Sequence, residues 1–124
     1  MIYGIGTDIT EVRRFKKWIE NPSLLERFYN PSEIMTGGSE KAKLEHYAVR
    51  FAAKEAFAKA LGTGIMGYDL KDVYITKDTE GKPFINVTGK AEKILNERCG
   101  NCIVHVSLSH EKEYATAFVV IERL

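Results

Sequence analysis

Residues 44–64 read Leu44-Glu-His-Tyr47-Ala48-Val-Arg50-Phe51-Ala-Ala-Lys54-Glu55-Ala-Phe-Ala58-Lys59-Ala-Leu61-Gly62-Thr-Gly64. At about 100° per residue, Leu44, Tyr47, Ala48, Phe51 and Ala58 fall on one stripe, so the spacing predicts one long helix. It begins near Glu40, and the pair Gly62 and Gly64 supplies its stop. Glu55 falls in the middle of the apolar stripe. An ionised carboxylate there is costly unless it is paired, hydrogen-bonded or coordinated to a metal. Spacing alone leaves two readings open: a buried ion pair, for instance to an arginine elsewhere, or a metal-binding or catalytic carboxylate. Arg50 and Lys54 lie on one flank of the stripe and Lys59 on the other. Each is either a solvated cation with its stem packed on apolar neighbours or a contact for an anion.

Upstream, residues 2–9 read as a strand, apolar and β-branched with two glycines. Its alternation puts Gly4, Gly6 and Asp8 on one face and Tyr3, Ile5 and Ile9 on the other. The glycines admit close approach by a ligand or another backbone. Asp8, at the end of that face, is either a cap for a helix starting near Thr10 or Glu11, or a ligand-facing carboxylate. Ile9 stands where a dinucleotide fingerprint needs its third glycine, so that motif is excluded. Short helices are expected over about 11–19 and 23–29. Asn30-Pro31-Ser32-Glu33 starts another, and Thr36-Gly37-Gly38-Ser39 breaks it in the segment best suited to move.

Downstream, strands are expected near 71–77 and 83–88, joined by the turn-rich segment from Asp78 to Pro83. A helix over 89–98 leads to a final pair of strands, 102–109 and 114–122, turning at His110–Glu113. His110 ends the alternating face Val104, Val106, Leu108, where a histidine is either a turn residue or a functional group. Val119-Val120-Ile121 is apolar at successive positions, so the last strand is expected to be covered on both faces. Strands at both ends, helices between them and hairpins in the second half indicate an α+β fold.

The length of 124 residues fits a single domain over 1–124. A net charge of +1 gives no overall drive toward nucleic acid. No apolar run approaches the roughly 18–20 residues that cross a bilayer, and the opening residues lack signal-peptide features, so a cytoplasmic location is expected. Cys99 and Cys102 could suggest zinc or redox chemistry. With His105 as the only nearby third ligand, and strand alternation rather than a helix after the pair, two free thiols in a reducing compartment is the better reading.

Four blocks of the chain, taken in order, resemble the holo-[acyl-carrier-protein] synthase family of phosphopantetheinyl transferases: Gly4-Ile-Gly6-Thr-Asp8-Ile-Thr-Glu11, the run from Arg50 to Gly64, Gly81-Lys-Pro83, and Val106-Ser-Leu-Ser-His110, continuing into Glu113-Tyr-Ala. The resemblance implies a phosphopantetheinyl transferase-like fold, mostly antiparallel sheet packed on one long helix and several short ones. It implies that coenzyme A is the substrate and that phosphopantetheine passes to a serine of apo acyl carrier protein in fatty acid biosynthesis. By the same resemblance Asp8 and Glu55 would hold Mg2+ and serve catalysis. Lys59 and His110 would help hold coenzyme A, Arg50 and Lys54 would meet its phosphates, and Gly62 and Gly64 would lie against it. A homotrimer with sites between subunits is implied too. The acidic carrier would dock on the basic residues Arg13, Arg14, Lys16, Lys17 and Arg27. Two other classes use the same residues differently: a metal-dependent hydrolase of coenzyme A-like nucleotide diphosphates, and a non-catalytic trimeric binding module.

Overall fold

The computed structural model describes residues 1–124. Strand β1 (Ile2–Glu11) runs into a 3-10 turn, Val12–Phe15, followed by helices α1 (Lys16–Ile19) and α2 (Pro22–Phe28). The single helix expected over 11–19 is thus divided, because β1 stays paired with the last strand as far as Glu11–Tyr114. A one-turn 3-10 helix, Pro31–Glu33, precedes the long helix α3 (Glu40–Leu61). Ser39 caps α3 by accepting from the Ala42 amide, and Gly62, at φ 86°, ends it in the left-handed conformation. A 3-10 turn, Leu70–Asp72, then leads to the antiparallel hairpin β2 (Val73–Lys77) and β3 (Pro83–Val87). Helix α4 (Gly89–Cys99) and strands β4 (Cys102–His110) and β5 (Tyr114–Arg123) complete the chain.

Strands β1, β5 and β4 form one antiparallel sheet with β5 in the centre, and β2–β3 stand apart as a second, two-stranded sheet. The α+β expectation holds. Helix α3 lies against the inner face of the three-stranded sheet, where Ala115, Ala117, Val119 and Ile121 are buried. Gly4 and Gly6 explain how closely they meet. A Cβ at Gly4 would overlap the Ala60 carbonyl oxygen, and one at Gly6 the Ala56 carbonyl oxygen. The glycine face of β1 therefore serves the approach of another backbone, the α3 main chain.

The expected stripe on α3 is too narrow. Tyr47, Ala48, Phe51 and Ala58 are buried, but so is nearly every residue from Tyr47 to Leu61. Sheet, short helices and the β2 region enclose the helix from several sides, and an all-round apolar helix is what such enclosure requires. Phe15 and Phe51 stack with Trp18, which also meets Phe28 and Tyr29, and this aromatic cluster fixes α1 and α2 on α3.

The outer face of the three-stranded sheet is different. Ile5, Ile9, Ile103 and Phe118 are exposed there, Ile5 by 60% and Ile9 by 63%. Successive Val119, Val120 and Ile121 thus face two environments, with Val119 and Ile121 in the core and Val120 half-buried on the outer side.

Candidate active site

Two groups of charged residues project from α3, and the helix separates them. The first gathers at the β1 end. Asp8 lies on the strand face that meets α3, opposite Ala117 of β5. It caps nothing: β1 runs past it, and the residue preceding the 3-10 turn is Glu11, which makes no side-chain cap. Its Oδ1 accepts from Lys59 Nζ at 3.2 Å, and the same ammonium donates to the Thr7 carbonyl at 2.9 Å. Glu55, one turn before Lys59, is half-buried and belongs to none of the chain's ion pairs. Burial pushes its carboxyl above the usual range, the charge of Asp8 adds to that, and Lys59 and Arg14 oppose it. Two carboxylates thus share a site with Lys59 and Arg14, and Glu55 stays raised despite both cations.

Arg14 belongs to this group. It follows β1 directly, donates to Thr10 Oγ1 at 3.4 Å, and lies 5.6 Å from the centre of the Phe51 ring. Tyr68 stands close enough to feel Glu55, and its hydroxyl is buried without a hydrogen-bond partner. Burial first, and Glu55 second, push that phenol up to about 12.

The second group lies about 140° away around α3, the angle between Arg50 and Glu55 at five residues' separation. Here Glu45, His46, Arg50, Lys77, Gly81, Pro83 and His110 line a cavity of about 410 Å³. Arg50 is only 9% exposed. Its guanidinium donates to the His46 carbonyl at 3.3 Å, while Nε is left without a partner. Burial lowers its affinity for a proton, and Glu33 opposes that. A buried cation with an unused donor on a cavity wall suits an anionic ligand. His46 is held differently. Its Nε2 donates to the Glu33 carbonyl, and burial together with Arg50 lowers its pKa to about 4, so the ring is neutral.

Lys54 departs from expectation. Its side chain is 1% exposed, and its three protons are taken by Glu33 Oε1 at 2.7 Å and the carbonyls of Leu70 at 3.1 Å and Val73 at 2.6 Å. No donor remains for a phosphate, so Lys54 is a structural group. Its partner Glu33 also accepts from the amides of Asn30 at 3.0 Å and Ile75 at 3.1 Å. The buried ion pair considered for Glu55 exists one residue earlier and has the opposite sign.

Gly62 and Gly64 both adopt positive φ, 86° and 64°, just after α3. A Cβ at Gly64 would meet nothing, so that glycine presents open backbone. Arg13, Lys16, Lys17 and Arg27, expected to dock the carrier, are exposed on the 3-10 turn, α1 and α2. Arg13 is paired with Glu11 at 2.9 Å, and Arg27 lies over the Phe28 ring.

Sequence reading missed Glu33, Glu45 and His46. For Glu33 a signal existed: Asn30-x-x-Glu33 is a capping box, and both its reciprocal bonds are present. Glu45 and His46 carry no local signature, since their partners come from distant parts of the chain.

A carboxylate pair beside a lysine at one helix face, and a cationic cavity at another, define a protein that handles phosphates. The family model of the 4'-phosphopantetheinyl transferase superfamily matches residues 4–119, and the chain belongs to that family. Within it the similarity is to the holo-[acyl-carrier-protein] synthases. That of Treponema denticola is 48% identical over 123 residues, covering 98% of this chain and 99% of the relative. The solved synthase of Neisseria meningitidis superposes with TM-score 0.86 at 38% identity, over 98% of this chain and 99% of that one. The Bacillus anthracis synthase, determined in complex with CoA (3',5'-ADP), gives TM-score 0.83 at 38% identity, over 100% of this chain and 99% of that one.

Proposed function

We propose that this chain transfers the 4'-phosphopantetheine moiety of coenzyme A to a serine of apo acyl carrier protein, releasing 3',5'-ADP, in support of fatty acid biosynthesis. The observation that carries the reading is the Asp8–Glu55 pair: two neighbouring carboxylates, one of them paired with Lys59, in a chain of this family. Residues 1–124 act as one domain, and its place of work is the cytoplasm; no helix is long and apolar enough to cross a membrane.

The donor set fits Mg2+. Glu55 has no ion-pair partner, and burial first and the Asp8 charge second raise its proton affinity, which a divalent cation would relieve. No cluster of three or more acidic, histidine or cysteine ligands is present, and magnesium needs none, since it takes most of its oxygens from phosphate and water. Asp8 and Glu55 would hold it, and when bound it supplies Lewis-acid stabilisation of the phosphate charge. Lys59 stands beside Asp8 and offsets negative charge on the diphosphate. Arg50 and His110 grip coenzyme A in the cavity, while Gly64 offers open backbone beside it. Glu55, held above its ordinary pKa, is the group suited to take the serine proton, through a bound water; Asp8 is the second choice. The bond that forms joins the serine oxygen to the β-phosphorus, and the bond that breaks frees 3',5'-ADP.

A homotrimer with sites between subunits accounts for two features at once. The apolar outer face of the sheet needs covering, and the carboxylate group and cationic cavity face apart on one chain, so neighbouring copies would bring them together. The basic residues Arg13, Arg14, Lys16 and Lys17 follow on the strand bearing Asp8, with Arg27 on α2, which suits docking of an acidic carrier.

The test is intact-mass spectrometry of a bacterial apo acyl carrier protein incubated with the chain, coenzyme A and Mg2+. The expected result is a gain of one phosphopantetheine, abolished by chelator and by Asp8→Ala. An unchanged carrier with coenzyme A cleaved would identify a hydrolase instead. An unchanged carrier with coenzyme A bound but intact would leave a binding module.

A further inference from the structure

The cavity that holds Arg50, Lys77 and His110 contains one carboxylate, Glu45. An acid in an anion site opposes binding by Coulomb repulsion, so its presence needs a reason. Its Oε2 lies 3.1 Å from His110 Nδ1, and the Glu45 side chain is 19% exposed against 48% for His110. A carboxylate only accepts, so Nδ1 carries the hydrogen, and Nε2 is the ring nitrogen left for a ligand. His110 sits at the end of β4 where the hairpin turns, and its ring has no other hydrogen-bond partner. Glu45, in the first half of α3, therefore ties the hairpin to the helix across the cavity and sets the direction of the ring.

The second histidine shows why this matters. His46 shares the cavity, but its Nε2 is committed to a carbonyl, and burial, with Arg50 beside it, keeps the ring neutral. His110, by contrast, has a carboxylate on Nδ1 and leaves its other ring nitrogen uncommitted. The Glu45 carboxylate is thus engaged by the His110 ring rather than left free in the cavity, much as a carboxylate orients a metal-binding histidine.

We propose that Glu45 is a positioning residue for coenzyme A binding: by holding His110 Nδ1–H it directs Nε2 at a phosphate of the substrate. This rests on the reading that the cavity takes coenzyme A. Glu45→Gln keeps the size of the side chain and removes its charge. Calorimetry should show binding of both coenzyme A and 3',5'-ADP weakened about fivefold to tenfold, the scale of a disturbed charge-assisted hydrogen bond. KM for coenzyme A should rise by a similar factor while kcat stays close to wild type. The 15N signal of His110 Nδ1 should shift in the variant, and Glu45→Asp should recover part of the affinity. In the double variant with His110→Ala, the Glu45→Gln loss should vanish.

Equal or tighter binding by Glu45→Gln would mean that the carboxylate only repels the ligand, and would overturn the proposal. So would losses that add fully in the double variant. If His110→Ala and Arg50→Ala themselves bound coenzyme A as wild type does, the cavity assignment would fail first and Glu45 with it. If those two weakened binding and Glu45→Gln did not, only the role of Glu45 would fall.

Discussion

Lys54 and Glu55 are adjacent in sequence and have opposite fates. Lys54 is sealed in the core with all three protons placed, one of them on Glu33. Glu55 emerges on the neighbouring face of α3 with no partner and with another carboxylate nearby. One charge is satisfied by the fold and the other is left for something to be added. A buried charge whose donors are all used holds structure, whereas a half-buried charge without a counterion marks a site.

The largest expected effect tests the satisfied half. Lys54→Met should lower unfolding free energy by about 3–5 kcal/mol in urea titration, because Glu33 is left buried and unpaired. Adding Glu33→Gln should recover much of that loss. Glu55→Gln should do the reverse: turnover falls roughly 10²–10³-fold in the carrier-modification assay, with coenzyme A affinity changed only modestly. A substantial stability loss in Glu55→Gln, or normal turnover at saturating Mg2+, would erase the contrast.

Gly6→Ala probes the frame under Asp8. Its Cβ would strike the backbone oxygen of Ala56, which cannot rotate aside, so β1 must lift from α3. A loss of about 1–3 kcal/mol is expected in thermal melts, together with a drop in transfer as Asp8 is displaced from Lys59.

Smaller effects come from pH, and again the two sides differ in sign. His46 is lowered from 6.5 to about 4 in the folded chain, so the unfolded chain takes up a proton first on acidification. Its contribution to stability is complete above pH 6.5 and is lost as pH falls toward 4. Melts across that range should flatten in His46→Gln. Glu55 is raised instead. The folded chain keeps that proton to higher pH than the unfolded one, so stability falls as pH rises through the window above the ordinary value of 4.5. At neutral pH and without divalent cation, Glu55→Gln should therefore melt at or slightly above wild type.

Much of this was legible in the sequence. The bounds of α3 and the places of the strands along the chain followed from apolar spacing, glycines and turn residues, and Asp8, Glu55 and Lys59 do come to one helix face. What periodicity could not convey was enclosure: α3 is covered on several sides, so Arg50 and Lys54, read from spacing as solvated cations or anion contacts, are buried. A helical wheel records angle but not what lies outside it. Lys54 and Glu33 are 21 residues apart, and His110 and Glu45 are 65 apart. Such pairings depend on the packing of separate elements, and no local pattern announces them. The capping box at Asn30–Glu33 was visible, yet its glutamate also serves Lys54 and the Ile75 amide, which a cap alone does not suggest.

Asp8 and Glu55 should hold a divalent cation, whereas the Lys54–Glu33 pair beside them should not. Mn2+ binding followed by electron paramagnetic resonance, in the presence of coenzyme A and with Mg2+ as competitor, tests this directly. One Mg2+-displaceable site is expected in wild type, lost in Asp8→Ala and Glu55→Gln and kept in His46→Gln. Unaltered Mn2+ binding in Glu55→Gln would contradict it.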